Sequence, residues 1–162
     1  MGINLRAASA LLAALSAFAL PGTVAAGQKI MRVGIGVPES HFEYKAFVKF
    51  KEHVEGKTGG GIEVQLYPST QLGDDKEVLD AIKIGTAHMN PAGPGVVANF
   101  VREMSLISLP YIFPTQEIAD RVMDGPWGQK LLKTLERAGF KGLGYGDFGY
   151  RHVTNNRRPI AR

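Results

Sequence analysis

Between Gln28 and Asn90 the hydrophobic period switches from two to that of a helix, back to two, to a helix again, and once more to two. Met31, Val33, Ile35 and Val37 alternate with Arg32, Gly34 and Gly36, which predicts a strand over 28–37. Pro38-Glu39-Ser40 opens a helix carrying Phe47, Phe50 and Val54 on one stripe, widened by Tyr44 and Val48, and Gly59-Gly60-Gly61 ends it. Ile62, Val64 and Leu66 alternate with Glu63, Gln65 and Tyr67 as a second strand, stopped by Pro68. Asp74-x-x-Glu77 reads as a capping box for a helix with Val78, Leu79 and Ile82, ending at Gly85. Ala87 to Asn90 completes the order as a short third strand. A β-α-β-α-β order predicts a parallel sheet with helices on its faces, an α/β fold.

Beyond Asn90 the pattern is less regular. Pro91 to Gly95 is too rich in proline and glycine for a regular element. Leu106 to Phe113, broken by Pro110, reads as buried connecting chain. Trp127, Leu131, Leu135 and Ala138 share a helix face after Pro126, and Phe140 to Phe148 reads as a further strand that Tyr150 to Thr154 extends.

The first residues are an address rather than part of the fold. Arg6 precedes Ala7 to Leu20, an apolar run shorter than the roughly 20 residues that span a bilayer. Pro21-Gly22 breaks it, and Val24 and Ala26 place small or aliphatic residues where a secretory signal is cut, so 1–26 is expected to be a leader cleaved after Ala26. The mature chain is then expected in the periplasm. Its formal charge of +4 drops by one with Arg6, and the basic residues are spread along the chain apart from Arg157-Arg158 and Arg162, which argues for solvated faces and against a nucleic-acid partner. With no cysteine, disulfides, thiolate metal sites and cysteine nucleophiles are excluded, and packing alone must hold the fold.

Motifs that invite catalysis fail on context. Gly56-Lys57-Thr58 ends a helix, whereas a phosphate-cradling loop must begin one, and Lys51 stands where that motif needs its first glycine. Gly144, Gly146 and Gly149 match a dinucleotide fingerprint, but extended chain and Pro159 follow in place of a helix. His41, His53, His88 and His152 have no ligand spacing, so no metal is expected, and no Gly-x-Ser-x-Gly elbow exists. Neither enzyme chemistry nor a cofactor is expected.

Five segments together resemble the solute-binding proteins of tripartite ATP-independent periplasmic (TRAP) transporters. They are His41-x-x-Tyr44-Lys45-Ala46 with Phe50-Lys51, Gly61-Ile62-Glu63-Val64-x-Leu66-Tyr67-Pro68-Ser69-x-Gln71-Leu72-Gly73-Asp74-Asp75, Ile84-Gly85-Thr86-Ala87-His88-Met89, Leu109-Pro110-Tyr111-Ile112-Phe113, and Gly149-Tyr150-Arg151-x-x-Thr154-x-Asn156-Arg157-x-Pro159-Ile160. The resemblance implies a periplasmic-binding-protein-like two-lobe α/β clamshell that closes on a small organic acid and hands it to the TRAP membrane permease subunits, acting as a monomer when complete. It implies that 27–149 is the first lobe, incomplete without later chain, and that 150–162 starts the crossover to the second. Two arginines commonly grip the carboxylate in this family. Arg151 matches the Gly-x-Arg position, while the other belongs to a Gly-x-Lys-x-Arg-Val-like strand beyond Arg162.

Arg151 also has a physical case, since a guanidinium offers a planar fork of donors matched to a carboxylate. His41 and Tyr44 are carried over as ligand-facing, together with the loop of Asn90, Ala92 and Gly93 after a strand end. Ala92 and Gly93 offer only backbone groups there. The alternatives are a receptor for an ATP-driven importer, an exported enzyme, and a fragment with no independent activity.

Overall fold

The computed structural model describes residues 27–150 and 154–157. The expected leader at 1–26 and Arg151 both lie outside the described residues.

Two strands, β1 (Lys29–Gly34) and β2 (Ile62–Tyr67), pair in parallel, with Lys29 opposite Ile62 and Gly34 opposite Tyr67. The pairing runs one step further, where the Ile35 N–H donates to the Tyr67 carbonyl at 2.9 Å. Helix α1 (Phe42–Lys57) joins the two strands, so this is the crossover that parallel strands require. It packs Phe47, Phe50 and Val54 onto Val33, Ile35 and Val64, all three fully buried or nearly so. Thr58 caps its C-terminus, and Gly59 and Gly60 supply the left-handed turn (φ 56° and 79°) that sends the chain into β2.

Helix α2 (Asp75–Lys83) lies against the opposite face. Gly34 sits between Val33 and Ile35 on the alternate side of β1, and a Cβ built on it would stand 2.8 Å from both Val78 methyls. Close packing of α2 on the sheet therefore requires glycine at 34. The sheet is thus covered on both faces, as parallel sheets are.

A second apolar cluster continues from α2. Leu79 packs with Val97, Val101, Met104, Leu131, Leu132 and Leu135. These come from α3 (Pro94–Val97), a 3-10 helix at Arg102–Ser108, and α5 (Pro126–Thr134) with the 3-10 turn Leu135–Ala138 that extends it. Helix α4 (Gln116–Met123) packs beside α5, its N-terminus capped by Thr115.

Several expectations need correction. The first helix starts at Phe42, not at Pro38, because His41 caps it and Pro38-Glu39-Ser40 forms a turn closed by the His41 N–H on the Pro38 carbonyl at 3.0 Å. Ala87 to Asn90 makes a single parallel bridge, Met89 to Val33, in place of a strand. The Arg32 N–H is taken at 3.0 Å by the His88 imidazole Nδ1, where a continued ladder would offer a carbonyl, and Pro91 then removes a donor. Helix α3 begins inside the stretch expected to be loop. Pro94 stands in its first turn, where a missing N–H costs nothing.

Leu106 to Phe113 is not buried. Leu106, Leu109, Tyr111 and Ile112 are all exposed, since no described segment lies over them. Trp127 is also exposed, although Leu131 and Leu135 are buried as expected. Phe140 to Phe148 is irregular chain and not a strand. Side chains anchor it in place of a ladder: Phe140 meets Phe100 edge-on at 5.4 Å between ring centres, and the Tyr145 hydroxyl donates to the Gly128 carbonyl at 2.8 Å. Gly142 lies so close to Leu132 and Leu135 that a Cβ would collide at 2.7–3.0 Å.

Candidate functional site

In a parallel sheet the carboxyl ends of the strands and the N-termini of the following helices converge on one edge, where ligands bind. Here that edge gathers Gly34 to Gly36 after β1, Tyr67 to Thr70 after β2, the Met89-Asn90 bridge, and the starts of α1 and α2.

Asn90 is the most constrained polar residue at this edge. Its Nδ2 donates to the Gly34 carbonyl at 3.0 Å and to Asp75 Oδ1 at 3.2 Å. Both neighbours are acceptors, so the amide cannot be turned around without setting oxygen against oxygen. Its Oδ1 is therefore fixed as an acceptor, and it is buried without a partner among the described residues. Asp75 is half-buried beside it, and the position of a Cβ on Gly36 is 3.5 Å from Asp75 Oδ1, space that glycine leaves open.

At the start of α1, His41 Nδ1 accepts the Glu43 N–H at 3.3 Å as an N-cap. That lone pair is occupied by a backbone donor, so the 4.0 Å separation from Glu43 Oε2 is a weak electrostatic contact and not a hydrogen bond. Glu43 is only 9% exposed, and its carboxyl accepts no hydrogen bond among the described residues. Burial raises its pKa from the ordinary carboxylate value. The nearby His41 opposes that rise and the Asp75 charge adds to it.

The β2 exit carries backbone strain. Ser69 and Thr70 hold φ of 52° and 58°, left-handed conformations that cost non-glycine residues on the order of 1–3 kcal/mol each. Their N–H groups are held by the carbonyls of Val37 at 2.9 Å and Ile35 at 3.3 Å, which ties the β2 exit to the β1 exit.

Of the residues singled out in the sequence, His41 and Asn90 lie at this edge. Tyr44 packs half-buried against the Val33-Ile35-Val64 cluster, and Ala92 packs against the helical cluster. Gly93 is the exposed N-cap of α3, with its carbonyl engaged by the Val96 and Val97 N–H groups. Phe148, three residues before Arg151, stacks on His41 (6.0 Å) and contacts Phe42 (5.2 Å between ring centres). Sequence reasoning missed Glu43 and Asp75. Both are first-turn acids of helices, and that position alone explains an acid without any role in binding.

A parallel sheet with helices on both faces and a polar floor at its carboxyl edge is an α/β arrangement shared by the lobes of solute-binding proteins and by many other α/β folds. The chain belongs to the bacterial extracellular solute-binding protein family 7, whose model matches residues 33–162. A solute-binding protein of Verminephrobacter eiseniae is 35% identical over 136 residues, covering 84% of this chain and 41% of its own length. Among solved structures, a TRAP periplasmic solute-binding protein from Ochrobactrum anthropi superposes with a TM-score of 0.78 at 35% identity, over 83% of this chain and 42% of that one. Another, from Polaromonas sp. JS666 and bound to D-erythronate, gives 0.76 at 33%, over 82% and 44%. The chain thus spans less than half the length of these relatives. The family is made of transport receptors rather than enzymes.

Proposed function

We propose that this chain is the ligand-capturing first lobe of a periplasmic TRAP receptor that binds a small organic acid and delivers it to the TRAP permease subunits. In this reading 1–26 is the export leader, 27–149 the lobe, and 150–162 the start of the crossover. No covalent chemistry is required of it. Capture needs only a ligand that binds the closed form more tightly than the open one.

The observation that carries the reading is the contact of Phe148 with His41 and Phe42 at the start of α1. It brings the chain that leads into Gly149-Tyr150-Arg151 onto the rim of the sheet edge where ligands of parallel sheets bind. Arg151 is the residue proposed to take the carboxylate through paired charge-assisted bonds. His41 serves that rim as a helix cap and ring platform, and Asn90 serves its floor. Tyr44, Ala92 and Gly93 support the backbone around it.

The test is a binding screen on a receptor of the relatives' full length that carries this sequence as its first half. Organic acids should raise its melting temperature in proportion to occupancy, while neutral analogues lacking the carboxylate should not. Equal shifts from acids and their neutral analogues would overturn the reading.

A further inference from the structure

Among the described residues β2 is an outer strand of the sheet. Its odd-numbered neighbours bond to β1, with Gly61 taking the Lys29 N–H and Tyr67 the Ile35 N–H. Ile62, Val64 and Leu66 therefore turn their N–H and C=O groups the other way, where no strand lies among the described residues. Ile62–Tyr67 is a hazardous sequence to leave open, with alternate apolar residues, Glu63 as its one charge, and neither proline nor glycine.

Side chains from α1 and its C-cap close most of that open side. Lys51, Glu55 and Thr58 are spaced to share one stripe, next to the Phe47-Phe50-Val54 stripe that packs on the sheet. Glu55 Oε1 accepts the Val64 N–H at 2.9 Å, and Lys51 Nζ donates to the Val64 carbonyl at 2.7 Å. Thr58 Oγ1 accepts the Ile62 N–H at 3.2 Å. An acceptor and a donor thus meet the two outward groups of one residue, as a neighbouring strand would. Lys51 and Glu55 also pair with each other at 3.2 Å, both half-buried. A solvated pair one helical turn apart contributes little to stability, so the bonds to Val64 are what set this pair apart. The Val64 N–H most of all, and Lys51 with it, hold the Glu55 carboxyl below its ordinary pKa against the effect of desolvation.

We propose that the Lys51-Glu55 pair stands in for a missing strand and bars β2 from pairing with β2 of a second copy of this chain. A second copy is the relevant competitor because it carries the same strand with the same open side. Leu66 is the one outward residue of β2 that no side chain meets among the described residues. Pro68, next in the outward series, has no N–H to offer, so the strip left open is too short to seed a ladder. The role is independent of which ligand the receptor takes.

Two variants of the receptor of full family length test this. Lys51→Ala/Glu55→Ala removes both groups. Lys51→Glu/Glu55→Lys keeps the charges and the ion pair, but sets a carboxylate against the Val64 carbonyl and an ammonium against its N–H. Analytical ultracentrifugation reads association and hydrogen exchange reads the amides, with Asp74→Ala as a destabilised control whose β2 contacts are intact. In both variants the Val64 amide of the monomer is expected to exchange at least about tenfold faster than in the parent. Association should set in at a concentration at least about tenfold lower than in the control, and the Val64 and Leu66 amides should be protected in the associated form. Variants as monomeric as the control, a Val64 amide that exchanges as in the parent, or an associated form with those two amides still open would each overturn the proposal.

Discussion

Asp74 and Glu77 each hold the other's backbone N–H, with the Asp74 Oδ1 accepting from Glu77 and the Glu77 Oε2 from Asp74, both at 2.8 Å. This reciprocal cap fixes the start of α2, and with it the position of Asp75 at the sheet edge. Gly73, at φ 100°, gives the entry its direction and leaves room for the Glu77 side chain, whose Cβ would lie 2.9 Å from a Cβ at 73. Asp74→Ala should destabilise the folded receptor by about 1 kcal/mol, in the ordinary range for loss of an N-cap. Denaturant unfolding, with an unchanged slope and a lower midpoint, is the measurement.

Gly34→Ala tests the packing of α2 on the sheet. The added methyl meets both Val78 methyls at 2.8 Å on a buried surface, so a cost of about 1–3 kcal/mol is expected from overpacking. The same substitution in a Val78→Ala background should cost at least ~0.5 kcal/mol less, because the second change vacates the space. Equal costs in both backgrounds would show that the two sites do not touch.

Glu43 predicts a pH dependence with a definite sign. Burial raises its pKa above its ordinary 4.5, so the folded chain holds this proton more tightly than the unfolded chain. The resulting stabilisation is fully present below the ordinary pKa and is lost as pH rises through the raised one. Glu43→Gln should therefore melt at a higher temperature than the parent at pH 7, and the gap should close as pH falls below about 4.5. Parallel melting curves across that range would show that Glu43 titrates as it does in the unfolded chain.

The sheet-forming half of the chain was legible in the sequence because local signals agree there. Alternation at Met31-Val33-Ile35, the Asp74-x-x-Glu77 spacing and the glycines after Thr58 each predict what forms. After Asn90 the run at 140–148 reads as a strand despite its glycines but finds no pairing partner among the described residues, and a strand exists only where a neighbour accepts its ladder. Ala87 to Asn90 failed for a subtler reason, since the His88 side chain takes a ladder position that backbone would have filled. At the edge, Asn90 was visible as the residue at a strand end, but its fixed orientation depends on the Gly34 carbonyl and on Asp75, 56 and 15 residues away in sequence. Glu43 gave no signal, because only the fold buries it.

Export has its own test. Produced in a Gram-negative host, soluble receptor recovered from the periplasm should begin at Gly27, as the Arg6, Ala7–Leu20 and Val24-Ala25-Ala26 arrangement predicts. N-terminal sequencing that returns Met1 on soluble protein would contradict the leader.

The central claim, a receptor that reads a carboxylate through Arg151, is tested most directly by calorimetric titration of Arg151→Ala and Arg151→Lys in the receptor of full family length, with thermal melts alongside. Bonds to a charged group contribute roughly 1.5–3 kcal/mol each, and truncating a buried charged partner costs about 2–5 kcal/mol. Arg151→Ala should therefore weaken binding at least tenfold, ~1.4 kcal/mol being one decade. Arg151→Lys should also lose affinity, since an ammonium keeps the charge but not the planar fork. Parent affinity in the lysine variant, or a lowered melting temperature in the alanine variant with affinity unchanged, would make Arg151 a structural arginine and contradict the account.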